Sequence, residues 1–467
     1  MERVENTLSP LHQDSEKEAL LPNRLKGFLM PTNQAPLEAS SIQDPAQREV
    51  RNSGETLWKN VDFMKFWTGE TISLFGSQVT ILALPLTAMF ILNVNAEQLG
   101  LLRFLENAPY LLLPLLFGAW VDHYQRRPLM ILANIVRALL IGLIPLFAFW
   151  HVLNVFLLSS IAFGAGIFTV LFEVCWLSVI PTMVSKEHLV EANSKVATSS
   201  AAAEVAGPGL AGFLVQLLGA PLALVVDSVS YVISVVSLML IRQPEPVSVT
   251  TTQQPHLIKN IAEGLRFVFQ NTYISALAFG AALWNFCFLF TDTIFLLYAI
   301  RQLHFSSSLL GLVYAIGAIG GLLGPVLATA LGRRFRLGLV LCATSVLGSI
   351  PMIVLPAITG PQVLTTAVCS TVFFLVQTAV GAFNVLTISL RQTVTPNELM
   401  GRVNAGSRMI ARSGAMLGTL AAGFFGTFIG LRASLWIAGG GFLLYLLPIF
   451  LSPIPKLRAL SSLPSTM

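Results

Sequence analysis

Charge is what this sequence has least of. Asp, Glu, Lys and Arg make up 11% of its 467 residues, less than half the roughly 25% usual in soluble domains. With 54% hydrophobic residues and a mean hydropathy of +0.74, most of the chain cannot face water, which excludes a soluble fold. Cysteine is also scarce: Cys175, Cys287, Cys342 and Cys369 each fall in an apolar run without paired spacing. They read as small packing residues, not disulfides or metal ligands. The six histidines are scattered through tails and loops, leaving a membrane-embedded hydrolase or transferase without a catalytic cluster. No G-x-x-x-x-G-K-S/T loop occurs, so nothing points to ATP hydrolysis, and no metal or cofactor is expected. Alternating stretches of about ten residues do not recur, which argues against a β-barrel. The basic residues are not gathered on one element, so the net charge of +5 does not point to nucleic acid.

What the chain has is long apolar runs. A membrane helix needs about 20 such residues, and twelve runs qualify: 66–92, 98–120, 128–150, 152–181, 196–218, 221–241, 272–300, 308–331, 337–358, 362–390, 404–430 and 432–452. The short loops on one side hold only Arg301 and Arg432. Those on the other hold Arg126, Arg127, Lys186, Lys195, Arg242, Lys259, Arg266, Arg333, Arg334, Arg336, Arg391 and Arg402. The positive-inside rule makes the second side cytoplasmic, which puts both termini inside a multi-pass protein of the cell membrane. Residues 1–60 are polar, lack the apolar core of a signal peptide and read as a disordered cytoplasmic tail. Within and after them, LWKNVDFMKFW (57–67) has the composition of a segment lying along the membrane surface.

The chain repeats itself. Leu99-Gly100 recurs as Leu310-Gly311, Pro114 as Pro325, and Gly207, Gly212 and Gly219 as Gly418, Gly423 and Gly430, all at a shift of 211 residues. VSKEHLVEAN (184–193) recurs as VTPNELMGRVN (394–404) with one residue inserted. The expectation is an all-α membrane protein of two pseudo-symmetric six-helix bundles, 61–241 and 271–452. A cytoplasmic linker, 242–270, joins them, and a tail, 453–467, follows. Such parallel repeats place a transporter's site between the halves.

The stretch GAWVDHYQRR (118–127) resembles the loop signature G-x-L-x-D-x-x-G-R-K of the major facilitator superfamily. Gly118, Asp122, Arg126 and Arg127 match it, while Gln125 replaces a glycine. The second copy, TALGRRFR (329–336), has Arg333 in place of the acid. In the fifth span, Ala203-x-x-x-Gly207-Pro208-x-x-Ala211-Gly212 resembles the antiporter motif G-x-x-x-G-P-x-x-G-G, with alanine for glycine twice. SLFGSQV (73–79), IPTMV (180–184), LVEAN (189–193) and VDSVSYVIS (226–234) look like the branch that contains macrolide-efflux proteins and the enterobactin exporter. The resemblance covers about residues 58–450. It implies a twelve-helix secondary transporter that exports small amphipathic compounds against proton entry, as a monomer in the bilayer. It also implies that Asp122 closes a cytoplasmic gate against the start of the eleventh span near Gly401-Arg402, where a helix N-terminus favours a carboxylate. Import or uniport by the same fold is the alternative, and a non-transporting sensor or scaffold a more distant one.

Ionisable residues inside a membrane are costly and mark pathways or buried pairs. Arg137, Glu173 and Glu204 fall at similar depth and are expected to form an ion-pair network. Asp227 lies six residues after Pro221, as a proton path or a cap for a neighbour. In the first span Glu70, Ser73 and Ser77 share a face. In the seventh, Asn285 and Asp292 do so beside Trp284 and Phe288, and in the tenth, Gln377 and Asn384. These stripes are candidate cavity lining, with ordinary interhelical polar contact as the plain alternative. Asp292 and Glu173 are the candidate proton carriers.

Overall fold

The computed structural model describes residues 57–121, 123–242, 257–396 and 398–457. The sequence expectations for Asp122, for the tail up to residue 56 and for the ends of the linker and C-terminal tail (243–256, 458–467) lie outside the described residues. The helices are α1 (Val61–Ile91), α2 (Ala96–Asn107), α3 (Pro109–Val121), α4 (Arg126–Phe149), α5 (Val155–Met183), α6 (Leu189–Leu218) and α7 (Ala220–Met239). After the linker helix α8 (Leu257–Gln270) come α9 (Thr272–Arg301), α10 (Ser307–Arg334), α11 (Leu337–Val354), α12 (Gln362–Val394), α13 (Met400–Phe428) and α14 (Leu431–Leu451). Among the described residues, ten helical segments are long and apolar enough to cross a membrane. The other two of the twelve spans have identifiable reasons for missing that description. The second is divided into α2 and α3, and the eleventh, α13, carries Arg402, Arg408 and Arg412.

Helix starts follow local chemistry. Asn60, Asn154 and Asn271 each accept a backbone N–H at the entrance of α1, α5 and α9 (2.9–3.1 Å). Asn95 and Gln98 form a reciprocal capping box on α2 (2.8 and 3.1 Å). The segment 57–67 does not lie apart along the surface. A short 3₁₀ turn, Leu57–Lys59, leads into α1 at Val61, and Phe63 and Phe66 are buried. The linker, expected to be merely polar, contains α8, whose Val268 packs with Ile274 and Val403.

The 211-residue repeat is a repeat of packing. α1 meets α6 and α7 as α9 meets α13 and α14; α4 meets α5 and α7 as α11 meets α12 and α14. Between the halves α2 crosses α13, and α10 crosses α6. At these crossings the repeated glycines touch. A Cβ on Gly212 would stand 3.0 Å from the Cα of Gly311, and one on Gly100 would stand 2.8 Å from that of Gly423. Gly219 and Gly430, 211 apart, end α6 and α13's loop at the same left-handed φ of 86°.

One end of the molecule is shut and the other is not. At the face opposite the linker, a single hydrophobic core runs through both halves, with Leu84, Leu99 and Leu158 beside Phe295, Leu310 and Phe442. Toward the linker face the core divides into clusters that each stay within one half. Backbone bonds stitch the closed end: Arg301 donates to the Val94 carbonyl (2.6 Å), and the Glu97 N–H donates to Thr427 (3.0 Å). At the linker face, among the described residues, no neighbouring helix comes within 4 Å of the Cβ position of Gly118, Gly332 or Gly401.

Candidate functional site

A cavity of about 600 Å³ lies between the halves, within the range of small-molecule sites. Its walls come mostly from α1 to α5, with Leu289 of α9 and Arg412 of α13 from the second half. The second span is interrupted at its wall, between α2 and α3. Pro109 has no N–H to continue the helix that ends at Asn107, and the break packs against Gly166 of α5. That break leaves Arg103, Glu106 and Tyr110 along the cavity wall.

Arg103 holds two carboxylates from two directions. Its guanidinium lies 3.7 Å from Glu106, one turn along α2, and 3.8 Å from Asp292 on α9 in the other half. Tyr314 of α10 donates to the second oxygen of Asp292 (2.8 Å). Asp292 thus belongs to the junction between halves at the closed end. Arg103 and Tyr314 are 211 residues apart, so the same register position in both repeats reaches the same acid. Closer to the linker face, the Arg412 guanidinium stands 5.0 Å over the Tyr110 ring, and Tyr110 donates to Glu173 (3.1 Å).

A second network is buried inside the first half. Arg137 donates to the Tyr231 hydroxyl (2.7 Å) and to Asn134 (3.0 Å). Its guanidinium also lies 3.9 Å over the Tyr231 ring and 5.4 Å from that of Phe172. Ser77 joins Tyr231 (3.1 Å) and Asn134 joins Ser234 (2.9 Å). Asp227, fully buried, accepts from Thr80 and from Ser230. Glu70 is also buried, with one carboxylate oxygen lacking a hydrogen-bond partner and facing the cavity region.

The expected network of Arg137 with Glu173 and Glu204 is therefore corrected. Arg137 is held by Tyr231 and Asn134, Glu173 is exposed in the cavity on Tyr110, and Glu204 is exposed. Arg137 and Glu173 both line the main cavity without coming within ion-pair distance, and Glu204 is not in its lining. The predicted lining divides as well. Glu70, Ser73, Ser77 and Glu173 line the main cavity. Trp284, Asn285 and Asn384 line a separate cavity of about 170 Å³ within the second half. Phe288 stacks on Trp284 (4.8 Å, 13°), and Gln377 packs at Gly317 and Gly321 of α10. Gly207 packs on Gln78, while Pro208 and Gly212 form the α6–α10 crossing. Arg126 donates to the Ser178 carbonyl (3.4 Å) and Arg127 to that of Met239 (3.0 Å), tying the basic loop to its own half. The four cysteines are buried, and among the described residues no disulfide joins them.

Sequence reading passed over Arg103, Glu106, Tyr110, Tyr314 and Arg412. The first two had a signal: two charges three residues apart inside an apolar run, the same criterion that singled out Arg137.

Residues 66–419 match the family model of the Major Facilitator Superfamily. The chain is similar to macrolide efflux protein A of Streptococcus pyogenes, with 21% identity over 406 residues covering 86% of this chain and 98% of that protein. It is similar to the multidrug efflux pump Tap of Mycolicibacterium fortuitum, with 26% identity over 403 residues covering 82% and 93%. Among solved structures it resembles a bacterial homologue of the iron transporter ferroportin in the inward-facing state, at a TM-score of 0.70 and 18% identity, covering 85% of this chain and 99% of that one. A twelve-span membrane protein with this repeat and a central cavity, matched by the family model over most of its length, the chain belongs to the major facilitator superfamily.

Proposed function

We propose that this transporter exports small amphipathic compounds in exchange for protons, by rocking the bundles 61–241 and 271–452 about the central cavity. The observation that carries the reading is a cavity closed at one end by an ion pair between the halves and lined by aromatic and ionisable side chains. Apolar contact with Tyr110, Phe172 and Trp176 supplies affinity, and a few polar groups orient the substrate. The arginine-rich linker face is cytoplasmic by the positive-inside rule, with both termini inside the cell and the closed face outside. The efflux relatives favour export over uptake.

Asp292 is the proposed coupling group. While it is ionised it holds Arg103, and the outer end stays shut. When the outer end opens and the pair parts, Asp292 takes up a proton from outside, which leaves Arg103 to Glu106. Loss of the proton into the inward-open cavity restores the pair and resets the closed outer face. Glu173, exposed in the same cavity, is the second candidate carrier. Asp122 would close the opposite face in the alternate state, and the Gly207-Pro208-Gly212 segment would serve the crossing between halves.

Purified protein in proteoliposomes tests this. Efflux of a macrolide or a cationic dye should follow an imposed pH gradient and stop when an uncoupler collapses it. Gradient-independent, bidirectional flux would instead establish a uniporter, and flux down the proton gradient in the uptake sense would establish an importer.

A further inference from the structure

The turn in which Arg333 departs from the loop signature borders a second site. The turn joining α10 to α11 carries Arg333, Arg334 and Arg336, all exposed, and among the described residues none of the three has a hydrogen-bond or ion-pair partner. Beside them opens a groove of about 530 Å³, lined by Arg334 and Arg336 and floored by Leu339 and Phe450, with no acidic residue in its lining. Leu339 is 56% and Phe450 47% exposed, and both stand on helices that cross the membrane, so they face acyl chains. Phe335, 50% exposed, flanks the charged rim.

Positive charge above and an open apolar floor below match one kind of occupant. We propose that the groove binds an anionic phospholipid, its phosphodiester held by Arg334 and Arg336 and its acyl chains laid along Leu339 and Phe450. Guanidinium groups bind phosphate oxygens in pairs and with fixed geometry, and basic pockets at the cytoplasmic side of membrane helices suit anionic headgroups. A charge needed only for topology would not require the groove. Phosphatidylcholine is disfavoured because its choline cation would meet the same arginines. The first repeat lacks the site, since His123 and Gln125 stand where Arg334 and Arg336 do here.

Native mass spectrometry of the full-length protein, titrated with phosphatidylglycerol or phosphatidylcholine of identical chains, tests the assignment. Phosphatidylglycerol should be retained selectively, and Arg334→Gln and Arg336→Gln should each weaken it about fivefold, the factor expected from about 1 kcal/mol per basic residue. Lys186→Gln, on another loop of the same face, should leave retention unchanged. Equal loss with Lys186→Gln would overturn the site in favour of diffuse surface charge. Displacement by millimolar inorganic phosphate would overturn the lipid in favour of a free anion. Should the glutamine variants fail to fold, wild-type protein is crosslinked with phosphatidylglycerol bearing a photoreactive headgroup. Labelling confined to residues 333–339 supports the proposal, and labelling elsewhere contradicts it.

Discussion

Arg103 of α2 and Asp292 of α9 face each other at 3.8 Å across the junction between the two halves, each with under a fifth of its side chain exposed. Whatever the net worth of a pair this sheltered, removing one member strands the other's charge away from water. Arg103→Gln and Asp292→Asn are each expected to loosen the closed end, and the double variant to cost less than the sum. A coupling of about 0.5–3 kcal/mol between contacting residues corresponds to about a twofold to hundredfold change in the ratio of the two states. Cysteine-accessibility rates at the closed face, measured in all four proteins, give this coupling directly.

The α6–α10 crossing leaves no room for a side chain at Gly311, where a Cβ would stand 3.0 Å from the Cα of Gly212. Gly311→Val should hold the closed face apart and cut transport by at least tenfold while the protein still reaches the membrane. Gly118 is the contrasting case, with open space at its Cβ position. Gly118→Val should leave the thermal stability of this state unchanged and slow transport only if the alternate state brings the loop against the other half. Transport assays paired with melting curves in detergent separate the two behaviours.

Tyr231 joins the Arg137 guanidinium to Ser77 and offers its ring to the same cation. Tyr231→Phe keeps the ring and deletes the hydroxyl, leaving a buried donor of Arg137 unpaired. The expected loss is about 1–3 kcal/mol, read as a lower melting temperature with the cation–π contact preserved. An unchanged melting temperature would mean that water replaces the hydroxyl.

Much of this architecture was legible in the sequence, because apolar length and the 211-residue shift are one-dimensional signals. Gly212 with Gly423 and Gly219 with Gly430 could be paired before any coordinates. The site was less legible. Asn285 and Asp292 are seven residues apart and share a face, yet about 10 Å of helix separates them. One therefore lines the small cavity of the second half and the other meets Arg103. Glu204 shares the depth of Arg137, but depth does not fix the direction in which a helix presents a side chain. The partner of Arg103 lies 189 residues away in the other half, and no periodicity within one span points to it. Pro109 was visible in the second span, but its effect depended on Gly166 receiving the break.

Glu173 accepts from Tyr110 in the cavity and has no arginine within ion-pair distance among the described residues. Glu173→Gln should preserve substrate binding, measured by fluorescence or calorimetry, and reduce pH-driven transport several-fold. Loss of binding with intact coupling would assign Glu173 to substrate recognition.

The central claim is that charge on Asp292 closes the outer end of the cavity, and one distance measurement tests it. Spin labels at Val152 and Val363, exposed residues at the closed face of the two halves, would report the separation in a background lacking the four native cysteines. Because closure needs the Asp292 charge, double electron–electron resonance should show a short distance in the wild type. In Asp292→Asn, which keeps the shape and removes the charge, the longer distance should dominate. A distribution in Asp292→Asn that stays as short as in the wild type would contradict the account.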